Sequence, residues 1–250
     1  GKNITLTATT GDVVNTAVLE SVYGDVKLVA EHGNIINGKA SDPSSGDIVT
    51  SGGKVILEVR GADGSGNGYN VTNYGDIIAI GKMTKLSVNN GTINASTVES
   101  NNTITLAGGT VKAVQVTAGK DINISGGTMN ATNVNSGTTM DITGGIINAA
   151  NLNSGTTMHI AGGTVNSTNV VAETNMEIAD GTIKATNVNA GADMDITGGI
   201  INAAHLVAGT AMTISGATIN TGAGDGLVKA ASITMSKGQV HGGDFTVTAS

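Results

Sequence analysis

Asp141, His159, Glu177 and Asp195 recur at a fixed 18-residue spacing, and Asp193 stands just before the last of them. Carboxylates and an imidazole in one row are the residue types that bind a divalent cation or pass protons. If each sits on its own turn of a repeating structure, Glu177 and Asp195 lie roughly 5 Å apart and repel each other unless a cation bridges them. Glu177, Asp193 and Asp195 are therefore the residues a metal would use. The calcium-binding nonapeptide of β-rolls is missing, however, and His159 can ease the repulsion between its acidic neighbours. The row reads as solvated surface charge that needs no ion, and no catalytic residue or cofactor is expected.

Three other patterns could carry binding. The stretch 61–74 holds Asp63, Asn67, Tyr69, Asn70, Asn73 and Tyr74, with two of the chain's four aromatic residues. Tyr and Asn make adaptable contacts, so Tyr69, Asn70, Asn73 and Tyr74 are the candidate ligand-binding set. A threonine column at Thr92, Thr110, Thr128, Thr164, Thr182 and Thr218 resembles the rows that order water on ice-binding surfaces. Ile146 and Ile200 break it, no second column matches it, and β propensity at an outward position is the preferred reading. Asn133, Asn151, Asn169 and Asn187 form an asparagine column flanked by Gln115 and His205. Stacked asparagines at a corner bond one another's amides along the stacking axis, which makes this column a structural ladder.

Composition narrows the field. The net charge of −7 and a single arginine, Arg60, argue against nucleic acid. There are no cysteines, so disulfides and thiolate metal sites are excluded. No apolar run is long enough to insert in a membrane as a helix. With Tyr23, Tyr69, Tyr74 and Phe245 the only aromatics, the core must consist of small aliphatic layers.

The element that must position these residues is the repeat itself. Leu86, Ile104, Ile122, Met140, Met158, Met176, Met194 and Met212 mark an 18-residue period, cleanest in MDITGGIINAANLNSGTT and MDITGGIINAAHLVAGTA. A fixed period in this range is the signature of a solenoid whose neighbouring rungs supply the core. In Met140–Thr157, alternation points Met140 and Ile142 inward, then Ile147 and Ala149, then Leu152 and Ser154. Glycine corners (Gly127, Gly145, Gly163) and a bend at Ala150-Asn151 separate three short strands per coil. Ile160 is inward on this register; Asn166 is outward and its replacement nearly silent.

The expected architecture is an all-β, single-stranded, right-handed parallel β-helix forming one continuous domain. Residues 1–85 form longer, irregular coils with inserted loops at 41–47 and 61–74. Regular 18-residue coils occupy 86–211, and irregular C-terminal coils occupy 212–250. The strand pattern at Ile4–Ala8 and at Phe245–Ser250 suggests an excerpt from a longer rod or end-to-end self-association.

The phrases ITLTATTGDVVN, VKLVAEHGNIING, GDIVTSGGKVILEV and DINISGGTMNATNVNSG resemble filamentous haemagglutinin-like exoproteins of two-partner secretion systems, along nearly the whole chain. The asparagine-rich N-terminal secretion signature of that family is not seen. The resemblance implies a β-helical shaft at the bacterial cell surface or in the extracellular space. Its partners would be a host or neighbouring-cell surface, a glycan or a matrix protein. The expected role is a non-enzymatic shaft mediating adhesion, cell contact or matrix assembly. Two alternatives remain open: a subunit of an extracellular filament, and a carbohydrate-binding or carbohydrate-cleaving β-helix.

Overall fold

Ile4-Thr-Leu6-Thr-Ala8 alternates apolar and polar side chains, and its partner Val26–Ala30 runs parallel to it with Ile4 opposite Val26 and Ala8 opposite Ala30. Parallel pairing of like with like needs a crossover between the strands. Here each crossover is the rest of a coil, and the protein is an all-β parallel solenoid. The computed structural model describes residues 3–39, 41–42, 45–51, 55–59, 71–73, 77–79, 85–88, 92–94, 97–100, 103–222, 226–242 and 245–249. Two compact units make up the chain, Gly1–Ala131 and Thr132–Ser250.

In the first unit one side stacks Ile4, Val26, Val55, Leu86, Ile104 and Ile122 in register. A second side stacks Val13–Asn15, Ile35–Asn37 and Val71–Asn73. A third stacks Leu19, Ile48, Ile77, Val98 and Val116. The step from Ile4 to Val26 is longer than the step from Leu86 to Ile104, so the early coils exceed the regular period. Part of the expected loop at 61–74 is corrected by this register. Val71–Asn73 is a strand, with Val71 opposite Ile35 and Asn73 opposite Asn37. Within the expected loop at 41–47, Asp42 and Ser45 turn back on Lys39, whose N–H donates to Ser45 Oγ at 2.7 Å.

The second unit keeps the 18-residue clock from Met140 through Met158, Met176 and Met194 to Met212. Met140, Ile142, Ile147, Leu152, Ile160, Val165 and their counterparts are buried. Identical side chains stacked at roughly 4.8 Å fill the interior without rings, which accounts for the scarcity of aromatics. The inner columns also hold serines. Ser154 Oγ lies 2.6 Å from both Thr138 O and Thr157 O, so it donates to one of these inner carbonyls at a time.

Three sequence expectations change. The strands are not uniformly short: Met158–Ala172 and Met176–Ala190 are single hydrogen-bonded runs of 15 residues. Coils that bend together keep N–H and C=O aligned along the stack, so a corner costs the ladder one or two residues or a local register shift. At the bend, Ala149 pairs with Ser167 and Asn151 with Asn169, and Ala150 is passed over. Ala149 is half-buried, whereas its equivalent Ala203 is buried. Asn166 is half-buried too, and its Nδ2 donates to Asn148 Oδ1 at 2.8 Å.

The glycine corner is set by geometry at Gly163. Its φ is +77°, and a Cβ there would lie 2.7 Å from Gly145 O. Where the column reaches Ala217, the positive φ moves one residue earlier, to Gly216 at +83°. Ala217 can then turn inward, where it is buried.

Candidate functional site

The outward row is assembled by strand register. Asp141 lies opposite His159, His159 opposite Glu177, and Glu177 opposite Asp195. His159 Nδ1 approaches Glu177 Oε2 to 3.4 Å, with both side chains about half exposed. At that exposure the pair contributes less than about 1 kcal/mol. Asp193 does not join the row. Its Oδ1 accepts the Ala211 N–H at 3.1 Å and the Thr210 hydroxyl, and its own N–H donates to Asn175 Oδ1 at 3.3 Å. The Thr210 hydroxyl, and after it the Ala211 N–H, hold the Asp193 carboxyl below its usual range. The carboxylate thus pins one coil to the next. Among the described residues no three His, Asp or Glu side chains converge as a metal ion requires.

The bend carries the most ordered polar array. Asn151 Nδ2 donates to Asn133 Oδ1 at 2.8 Å, Asn169 to Asn151 at 2.8 Å, and Asn187 to Asn169 at 2.7 Å. His205 Nδ1 lies 2.8 Å from Asn187 Oδ1 and ends the ladder. Since Asn187 Nδ2 is committed to Asn169, its oxygen faces His205, and Nδ1 of that imidazole carries the proton. Each such bond contributes about 1 kcal/mol, so the ladder fixes register as well as stability. Further amide pairs, Asn135 with Asn153, Asn148 with Asn166 and Asn202 with Asn220, escaped the sequence reading. Their signal was the same 18-residue spacing of asparagines.

Beside the end of the ladder the pairing leaves the regular period. Asn202 pairs with Asn220, one regular period on, but His205 pairs with Leu227, four positions beyond that period. Ala203 pairs with Ala185 in the preceding coil, and among the described residues none pairs with it from the following one. Thr221 is buried and continues the ladder toward the following coil, its N–H donating to His241 O at 2.8 Å. Gly222 has φ +83°, and among the described residues no atom lies within 4 Å of a would-be Cβ there. A cleft of about 310 Å³ lies beside this step, with Asn202 and Asn220 beside Ala185, Ala203, Ala204 and Thr221.

Of the expected ligand-binding set, Tyr69, Asn70 and Tyr74 lie outside the described residues. Asn73 is placed by its backbone in the column of Asn15 and Asn37, where Asn15 Nδ2 donates to Asn37 Oδ1 at 2.6 Å. The threonine column is interrupted on the surface by Ile146 and Ile200, both exposed. Among the described residues no helix is long and apolar enough to cross a membrane. Comparison with known families, curated proteins and solved structures finds no match. The fold defines the class, a parallel β-solenoid.

Proposed function

We propose that the chain is a non-enzymatic shaft segment of a bacterial cell-surface or secreted adhesin-type protein. It spaces or displays a recognition element toward a host or neighbouring-cell surface, a glycan or a matrix protein. The observation that carries this reading is the register of the second unit. From Met140 to Met212 every buried methionine, isoleucine, leucine and valine stands over another aliphatic side chain, and the asparagine column bonds along the stack. Such an array resists shear between coils and repeats its surface instead of converging on one point. The resemblance of its N-terminal and central phrases to filamentous haemagglutinin-like exoproteins supports the same assignment.

The reading is tested by replacement. The segment is exchanged, within its parent protein on the bacterial surface, for an unrelated β-solenoid with a similar number of coils. A spacer role predicts that adhesion to host or neighbouring cells is retained. Loss of adhesion with normal surface display would overturn it.

A further inference from the structure

We propose that Asp180–Gly181 is a site of spontaneous covalent modification, where the chain closes a succinimide ring and reopens as isoaspartate. Asp180 interrupts the glycine corner: between Gly108 and Gly216 the equivalent residue of every other coil is glycine. A Cβ at Gly126, Gly162 or Gly198 would lie 2.4–2.6 Å from a carbonyl oxygen of the preceding coil. Asp180 carries that Cβ, and the ladder shifts to admit it. Ala161 pairs with Asp180, one residue past its regular partner Ala179, and the register changes on both sides of that pair. Gly181 takes φ +100°, against +77° at Gly163 and +84° at Gly199.

The displaced corner brings the reacting groups together. The Gly181 N–H donates to Asp180 Oδ1 at 2.7 Å, so the attacking nitrogen already touches the carboxyl it attacks. Gly181 has no side chain to crowd the approach. The strand register passes over it toward both neighbouring coils, so the pairing does not run through this residue. Asp180 is exposed, and water reaches the ring once it forms. In the reaction the Gly181 nitrogen gives its proton to solvent and bonds to Asp180 Cγ, and the protonated carboxyl loses one oxygen as water. Water then opens the imide. Attack at the α-carbonyl leaves the chain running through Cβ and Cγ as isoaspartate, and attack at Cγ restores aspartate. One water leaves and one enters, so no oxidant, reductant or further reactant is needed. Isoaspartate adds a backbone atom to the corner and frees an α-carboxylate.

The other Asp-Gly or Asn-Gly pair among the described residues, Asn37–Gly38, is arranged in the opposite way. Asn37 is buried, its Nδ2 donates to Gly46 O, and its Oδ1 accepts from Asn15 Nδ2 at 2.6 Å. The Gly38 N–H is committed to Asn15 O at 2.7 Å. Ring closure there breaks these bonds inside the coil, so the pair is held inert while the chain stays folded.

Peptide mapping of the whole chain after long incubation in heavy-oxygen water tests this, with electron-transfer fragmentation to tell isoaspartate from aspartate. Label and isoaspartate should accumulate at Asp180 in the folded protein, at a rate similar to that in the urea-unfolded chain. Asn37 should convert only when the chain is unfolded. Asp180→Glu keeps the carboxyl but needs a six-membered ring, so label at that position should fall at least roughly tenfold. Asp180→Asn should reach the same ring roughly tenfold faster, since an amide loses ammonia more readily than a carboxyl loses water. If folding suppresses conversion at Asp180 as it does at Asn37, or if Asn37 converts as fast as Asp180 in the folded chain, the proposal is overturned.

Discussion

The coils between Met140 and Ala208 and the coil that follows Asn220 are built from similar residues, yet they treat their corners in opposite ways. In the first region every corner is covered by its equivalent one period on, and its amides are consumed by the ladder from Asn133 to His205. In the second, the pairing interval grows by four positions between Asn202–Asn220 and His205–Leu227, and a cleft lies beside that step. Constant period therefore makes an inert, self-satisfying wall. A change of period interrupts the wall without disturbing the strands on either side, since Ile201 still meets Ile219 and Leu206 still meets Val228.

The comparison can be broken most severely in the regular region. Ile160→Asp places a charge between the buried Ile142 and Ile178, with no counter-ion inside the coil. A destabilisation above about 4 kcal/mol is expected, visible as loss of the cooperative thermal melt. Next come the two kinds of glycine. Gly163→Ala meets both a positive φ and the Gly145 carbonyl, and should cost about 2–3 kcal/mol. Gly222→Ala meets only the positive φ and should cost about 1 kcal/mol, so denaturant melts of the pair measure how much covering the corner matters.

These contrasts separate what could be read in the sequence from what could not. Ile142, Ile160 and Ile178 were legible as a column because periodicity alone sorts inward from outward positions. The Asn133–Asn187 ladder was legible for the same reason. The partner of Asn166 was not legible, because alternation assigns a face but not a partner, and Asn148 makes it part of the wall. Val71–Asn73 was hidden because Ile35 and Val71 are separated by two regular periods, with no matching repeat between them. The cleft was invisible because it depends on where the chain is lengthened relative to a hydrogen-bond ladder. Asp193 was drawn toward Asp195 by sequence proximity, whereas its partners Thr210 and Ala211 lie one coil on.

Smaller effects sharpen the picture. Asn169→Ala interrupts the ladder in its middle and strands amides on both sides, so about 1–2 kcal/mol should be lost. Asn220→Ala, at the edge of its pair, should cost less than about 1 kcal/mol by the same melts. The smallest effect is at Asp193. Its carboxyl is held below the ordinary value of 3.8, so its stabilising contribution is complete above that value and is lost as pH falls through the lower folded one. In acid titrations of the melt, Asp193→Asn should therefore lose part of the wild-type decline on the acid side.

The central claim is that one 18-residue coil is the unit of register, and deletion tests it most directly. Removing Met158–Asn175 joins Thr157 to Met176 and leaves every inward column continuous. That variant should keep β-type circular dichroism and a cooperative melt. Removing one residue fewer, Met158–Thr174, shifts the strands that follow by one position and exchanges their inward and outward faces. That variant should lose the cooperative melt. If the two deletions behave alike, whether both fold or both fail, the 18-residue register does not govern this structure.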